Sequence, residues 1–407
     1  MELNDTPSSE RIHIGIFGRR NAGKSSLMNA ITGQQMAVVS DVAGTTTDPV
    51  RKAMELLPLG PVLLIDTPGI DDVGELGRKR VEKARQILRH TDIAILVVDA
   101  FSGKNSEDDE LLTLFEKMGV PHITAYNKCD IPGSIGSRSA AEAFPNEICV
   151  SAVSGENISE LKERMASLVK TGDEKRRIVA DLLSPADFVV LVVPIDKAAP
   201  KGRLILPQQQ TIRDIIEADA VAIVVKEYKL RETLSSLGRR PRMVITDSQV
   251  FARVSAETPL DIPLTSFSIL MARYKGNLDA AVKGVLELKN ISDGDRILIA
   301  EGCTHHRQCD DIGTVKLPHL IRQFTGKKPE FLFTSGGEFP ANLSQYKLIV
   351  HCGACMLNER EMKYRENESR AQGAPFTNFG ILIAYTQGIL KRSVAMFPHL
   401  AADFENN

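Results

Sequence analysis

Two groups of residues have types and spacings that do chemistry. The first is Gly18-Arg19-Arg20-Asn21-Ala22-Gly23-Lys24-Ser25, which fits G-x-x-x-x-G-K-S/T, a loop whose backbone N–H groups wrap phosphates. Gly18 and Gly23 let the backbone curl. The Lys24 ammonium reaches the terminal phosphates and the Ser25 hydroxyl ligates Mg²⁺. Ala22 and Ser26 complete the cradle, and the helix that follows turns its positive end toward the anion. The second group lies in the last third of the chain: Cys303, then Cys352-x-x-Cys355, with His305 and His351 beside them.

Further motifs define what the first group binds. In VLLIDTPG, Asp66 is placed to hold the Mg²⁺ shell and the Gly69 N–H to sense a γ-phosphate. Asn127-Lys128-Cys129-Asp130 matches the guanine-specificity motif of Ras-like GTPases, with Asp130 accepting from two guanine N–H donors. Adenine offers no such pair, so discrimination follows from an acceptor left without donors. Ser151-Ala152-Val153 resembles the last base-contacting loop of that family, and Gly44-Thr45-Thr46-Thr47-Asp48 its first switch, with Thr46 closing on Mg²⁺. Lys24, Asn21, Thr46 and Gly69 are therefore the expected catalytic set, and GTP or GDP with Mg²⁺ the expected ligands.

Two departures refine the mechanism. Ile70 stands where Ras carries the glutamine that orients the attacking water. Asn21 occupies the loop as in the Era and TrmE group, where the equivalent residue helps bind K⁺, a positive charge near the β–γ bridge in place of an arginine finger. The expectation is slow hydrolysis that is faster in K⁺ than in Na⁺.

The cysteines sit at the ends of two apolar strands, RILIAEGCTHH and YKLIVHCGAC. Ligands collect outside the carboxyl ends of parallel strands, so the two ends can face one site. C-x-x-C lets two thiolates turn toward one metal. Spacing leaves three readings open: zinc with Cys and His ligands, an iron–sulfur cluster on three cysteines, or a redox-active or unligated thiol pair. Cys309 and His306 add a possible ligand and an ordinary polar residue. Cys129 and Cys149 read as small buried hydrophobes.

The elements that position these groups are short apolar strands alternating with amphipathic helices. The fold class is α/β: a P-loop domain over 1–172, an α/β domain over 173–262, and a cysteine-bearing α/β domain over 263–407. The stretch KAAPKGRLILPQQQTIRD reads as a polar connection, and FGILIAYTQGILKRSVAMF as one core helix. A length of 407 residues exceeds one hydrophobic core. A net charge of -2 and 5% aromatics argue against nucleic acid held by phosphate contacts or stacking. No run approaches the roughly 20 apolar residues of a membrane span. The start MELNDTPSSERIHIG does not read as a secretory signal, and a cytoplasmic protein is expected.

A TrmE/Era-like GTPase joined to Cys303-Thr304-His305 and a distant His351-Cys352-x-x-Cys355 resembles the HydF family, the GTPase and scaffold of FeFe-hydrogenase maturation. The resemblance covers essentially the whole chain. It implies that Cys303, Cys352 and Cys355 ligate a 4Fe-4S cluster, with His305 and His351 the candidates for an exchangeable fourth position. It further implies a transient diiron precursor as cargo, two radical-SAM maturases and apo-FeFe-hydrogenase as partners, and a homodimer built by the middle domain. The main alternative is a TrmE/Era-class tRNA-modification or ribosome-related GTPase with a structural zinc site. A redox enzyme with a regulatory GTPase is a second.

Overall fold

The computed structural model describes residues 8–33, 50–67, 75–134, 146–170, 177–194, 204–302, 311–353 and 357–401. The chain divides into two compact units, Met1–Glu174 and Lys175–Asn407.

The first unit runs β1 (Ile12–Gly18), α1 (Lys24–Thr32), β2 (Val50–Leu56), β3 (Gly60–Asp66), α2 (Glu75–Arg89), β4 (Ile93–Asp99), α3 (Ser106–Lys117), β5 (His122–Asn127), β6 (Glu147–Cys149) and α4 (Ile158–Lys170). Its sheet has the order β2-β3-β1-β4-β5-β6. Only β2, paired with β3, runs antiparallel. The central strands are apolar along their length because both faces are covered. Ile14 and Ile16 of β1 pack with Leu27 and Ile31 of α1. Phe17, on the opposite face by the period-two alternation of a strand, packs with Leu88 of α2 and Phe115 of α3. The carboxyl ends of β1, β3, β4 and β5 therefore meet along one edge.

The second unit continues with β7 (Phe188–Val192), α5 (Leu206–Glu217), β8 (Val221–Val225), α6 (Leu230–Ser236), β9 (Met243–Thr246), α7 (Phe251–Glu257), β10 (Leu264–Ser266), α8 (Phe267–Lys275) and α9 (Leu278–Leu286). It ends with β11 (Arg296–Glu301), α10 (Leu317–Thr325), β12 (Glu330–Ser335), β13 (Leu348–His351), α11 (Glu359–Ala371), β14 (Phe376–Asn378), α12 (Phe379–Thr386), α13 (Leu390–Val394) and α14 (Pro398–Ala401). It holds two four-stranded sheets, β10-β9-β7-β8 and β12-β11-β13-β14. All their pairings are parallel. One apolar core joins Val190 and Ile245 of the first sheet to Ile299 and Val350 of the second through α8, α9 and α12.

Three sequence expectations differ from this structure. The polar stretch 197–214 is not all connection, because α5 begins at Leu206. Pro207 sits in its first turn, where a missing N–H breaks no helical bond. The expected start of the third domain at 263 separates β10 from its partner, whereas β10 pairs with β9 and completes the middle sheet; three residues are too few for periodicity to mark a strand. The single C-terminal core helix is two, α12 and α13, parted at Gly388 with φ 72°. An αL residue ends a helix.

Candidate functional site

The phosphate loop is built from its own backbone outward. Gly18 has φ 138° and a Cβ there would lie 2.3 Å from Val97 O, while one at Gly23 (φ 89°) would lie 2.2 Å from Asn127 Nδ2. Only glycine fits either place. Asn21 is itself left-handed, with φ 60°. Four of the loop carbonyls accept from side chains. Lys24 Nζ donates to Gly18 O at 2.9 Å and Arg19 O at 2.8 Å. Lys128 Nζ donates to Asn21 O at 2.8 Å, and Asn127 Nδ2 to Ala22 O at 3.0 Å. With those carbonyls engaged, it is the loop's N–H groups that are left for an anion, and a nest of N–H groups is what binds phosphate.

Ser25 Oγ donates to Asp66 Oδ2 at 2.8 Å, bringing the two expected Mg²⁺ ligands together. Asp66 Oδ1 is buried and has no hydrogen-bond partner among the described residues. Burial raises the Asp66 carboxyl above its usual range, more than Ser25 and Lys24 lower it. A buried carboxylate with an orphaned oxygen is the donor a divalent cation fits. Thr46 and Gly69, with the rest of both switch segments and Ile70, lie outside the described residues.

Asn127 is the hub of the base side. It is buried, and besides holding Ala22 O its Oδ1 accepts from Ala152 N at 3.0 Å. One amide thus ties the phosphate loop to the loop at 151–153. Ser151, also buried, shapes that loop by accepting from Val153 N and Ser154 N at 3.3 and 3.0 Å. Val153 and Asp130 are exposed. Lys128 donates to Asp99 Oδ2 at 2.7 Å. Burial raises the Asp99 carboxyl, but the Lys128 ammonium and the Phe101 and Ser102 N–H groups outweigh it and hold the carboxyl below its ordinary value.

Sequence reasoning missed Asp99, and it missed Arg19. The Arg19 guanidinium reaches Gly103 O at 2.7 Å and the fully buried Asp108 at 3.3 Å. Asp108 is also the third residue of a capping box with Asn105 at the start of α3. The box motif was readable; its ion pair with the loop was not. Cys129 and Cys149 are half-buried rather than buried. Cys149 packs against the core that includes Phe115 and Tyr126. Cys129 Sγ points at Glu156 Oε2, 3.8 Å away, and burial, then the Glu156 charge, push its thiol up to about 11.

Cys352 lies where the second sheet of the latter unit reverses its strand order. From β11 the chain passes to β12 on one side and then to β13 on the other, the switch point at which α/β sheets bind ligands. Ala300 of β11 pairs with His351 of β13, and Cys352 N donates to Ala300 O at 2.9 Å. Gly302 N donates to Cys352 Sγ at 3.0 Å. Cys303 is the next residue after Gly302, and it lies with His305, His306, Arg307, Cys309 and Cys355 outside the described residues. Among the described residues no three His, Cys, Asp or Glu side chains converge as a metal site.

His351 is fully buried. Arg365, buried as completely, donates to His351 Nε2 at 2.9 Å, to Gly336 O at 2.9 Å and to Glu361 Oε1 at 2.7 Å. His351 Nδ1 lies 2.8 Å from Cys352 O. Guanidinium only donates and a carbonyl only accepts, so Nδ1 carries the proton. Burial, then the Arg365 charge, push the imidazole down to about 3. Both ring nitrogens are engaged by the protein.

The phosphate loop, the Ser25–Asp66 pair and the Asn127 hub, on the carboxyl edge of a mostly parallel sheet, make the first unit a P-loop GTPase domain. Two smaller α/β domains follow it. Residues 13–128 match the family model described as 50S ribosome-binding GTPase. Residues 178–276 match the Hydrogen maturase F dimerization domain and 279–396 the Hydrogen maturase F tetramerization domain. The chain belongs to the HydF family. It is similar to GTPase Der of Kosmotoga olearia, 34% identical over 50% of this chain and 49% of that protein. It is also similar to the tRNA modification GTPase MnmE of Chromobacterium violaceum, 32% identical over 39% of this chain and 35% of that protein. The chain thus spans about half the length of Der and about a third of MnmE. A crystal structure of Aquifex aeolicus Era bound to GDP.AlF4- is 21% identical, covering 56% of this chain and 98% of its own, with a TM-score of 0.34. No helix among the described residues is long and apolar enough to cross a membrane.

Proposed function

We propose that this chain is a GTP-hydrolysing scaffold of hydrogenase maturation, holding a 4Fe-4S cluster on Cys303, Cys352 and Cys355 and handing a diiron precursor to apo-hydrogenase. The observation that carries the reading is the Gly302 N–H bond to Cys352 Sγ at 3.0 Å, at the β11/β13 switch point. An N–H aimed at sulfur favours the thiolate over the thiol, and hydrogen bonds to cluster sulfurs are one of the ways a protein sets a cluster's potential. Cys303 follows Gly302 directly in sequence and Cys355 is three residues after Cys352. His351 has both ring nitrogens in use, so of the two histidines expected for the fourth position His305 is the better candidate. Three fixed bonds and one exchangeable one suit a carrier.

In the GTPase domain Lys24 leaves the Gly18 and Arg19 carbonyls for the terminal phosphates. Ser25, Asp66 and Thr46 would hold Mg²⁺, which would supply positive charge at the phosphate oxygens. Asn21 would help hold K⁺. Water adds to the γ-phosphorus as the bond to the β–γ bridging oxygen breaks, and GDP and phosphate leave. The Gly69 N–H reads the γ-phosphate, and Asp130 reads guanine beside Asn127 and Lys128.

The middle domain forms the homodimer. Its outer strand β8 is the sheet's edge among the described residues and carries the half-exposed Val221 and Val224, and an apolar edge of this kind pairs with another strand. Partners are the radical-SAM maturases and apo-hydrogenase, with neither nucleic acid nor membrane, in the cytoplasm. The discriminating experiment is anaerobic reconstitution with iron and sulfide, then reduction and EPR. A reduced 4Fe-4S signal is expected. Zinc bound in its place, with no signal, would favour the tRNA-modification or ribosome-related alternative.

A further inference from the structure

The Hydrogen maturase F half of this chain repeats itself. PLTSFSILMARYKGNL at 263–278 returns 112 residues later as PFTNFGILIAYTQGIL at 375–390, identical at eight of sixteen positions. The structures repeat with the sequences. Strand orders β10-β9-β7-β8 and β14-β13-β11-β12 are the same order in two copies. Ser266 caps α8 by accepting from Ile269 N, and Asn378 caps α12 by accepting from Ile381 N. Gly276 and Gly388 end the two helices with φ 79° and 72°.

The copies are also exchanged. Helix α9 of the first copy packs on β14 of the second so closely that a Cβ at Gly284 would lie 2.0 Å from Phe376 O, and Thr377 Oγ donates to Ala281 O at 2.8 Å. In return α13 of the second copy places Arg392 on Ser255 O, Thr258 O and Pro259 O of the first, at 2.9, 3.0 and 2.7 Å. Between them α8 and α12 meet at equivalent residues, with Gly380 leaving room for Ser268. The exchange carries the last turn of α8 across to the cysteine loop. There Lys275 Nζ donates to Gly353 O at 2.8 Å. Gln387, 112 residues on, is its counterpart in the second copy.

We propose that Lys275, a residue of the dimerization half, is a positioning residue for Cys352 in the other half: its ammonium clasps Gly353 O, the carbonyl next to Cys352, and brings a positive charge to that turn. The assignment deepens the cluster reading above and rests on it. The cysteine-bearing domain, matched over 279–396, then takes this clasp from the preceding one, since Lys275 lies within 178–276. A cation near a cluster favours the reduced, more negative state, so it raises the reduction potential.

The test compares full-length wild type, Lys275→Met and Lys275→Arg in two measurements. The first is amide hydrogen exchange of the metal-free protein over the segment containing Cys352. Lys275→Met is expected to exchange about tenfold faster there, as loss of a hydrogen bond from a charged donor implies, and Lys275→Arg to stay at the wild-type rate. The second is the midpoint potential of the reconstituted cluster by EPR-monitored titration, expected to fall in Lys275→Met and return in Lys275→Arg. Unchanged exchange in Lys275→Met overturns the assignment. Faster exchange with an unchanged potential removes the electrostatic part and leaves a backbone clasp. A wild type that yields no cluster signal sinks the 4Fe-4S reading instead, and the exchange measurement still decides the clasp.

Discussion

Arg365 donates to His351 Nε2 at 2.9 Å, with neither side chain reached by solvent. The imidazole beside the cysteine loop is therefore a hydrogen-bond acceptor in a closed network. Substituting His351→Gln should leave the EPR of the reduced cluster without a change in nitrogen hyperfine coupling. Loss of a strong nitrogen coupling in that variant would put His351 on the iron.

The same network sets a stability expectation. Arg365→Met takes the guanidinium away from the Glu361 carboxylate, which is 1% exposed. Breaking a buried pair from one side costs about 3–5 kcal/mol, whereas replacing both partners by apolar groups is often neutral. Denaturant titrations of Arg365→Met and of Arg365→Met/Glu361→Met measure this directly. The single variant should be the less stable of the two. Equal stabilities would mean that the pair is not coupled.

Asn127→Ala should weaken both nucleotide affinity and the fold of the GTPase domain. It removes the bonds to the buried Ala22 O and the half-buried Ala152 N at once, and a buried group left unsatisfied costs about 1–3 kcal/mol. Fluorescent GDP titration and thermal unfolding read the two effects separately. An affinity equal to wild type would show that the phosphate loop keeps its shape without this hub.

Much of this was legible in the sequence, and the reason differs by region. The phosphate loop and the Asn127-Lys128-Cys129-Asp130 segment are local motifs whose geometry is set by neighbours in sequence, so their place at strand ends could be read from spacing. The approach of Cys352 to Gly302 was legible from two apolar strands ending in cysteine, given the switch-point rule. Arg19–Asp108 and Arg365–His351 were not, because each joins residues from different elements and neither alone departs from ordinary polar usage. Lys275 was hidden for a further reason. Its contact depends on an exchange between repeats, and only aligning 263–278 with 375–390 gives the signal. The middle domain's end was misplaced for want of length, since Leu264–Ser266 is a strand of three residues.

Monovalent cations test the role of Asn21. GTP turnover should be faster in K⁺ than in Na⁺, and Asn21→Ala should bring the two rates together. Equal rates in wild type would remove K⁺ from the mechanism.

Cys129 should resist alkylation at pH 8. Burial and the Glu156 charge raise its thiol to about 11, so the reactive thiolate is scarce at pH 8 and grows only as pH rises toward that value. Mass-resolved iodoacetamide labelling across pH measures it. Rapid labelling at pH 8 would show an ionised thiol beside the base site.

The central claim is that one chain carries two separable chemistries, GTP hydrolysis in Met1–Glu174 and cluster binding in Lys175–Asn407. The most direct measurement is Cys352→Ser beside wild type, each reconstituted anaerobically, with reduced-state EPR and GTP turnover recorded on the same samples. The expected result is loss of the 4Fe-4S signal with GTP turnover unchanged. A 4Fe-4S signal that survives the substitution, or turnover that falls as sharply as the signal, would contradict it.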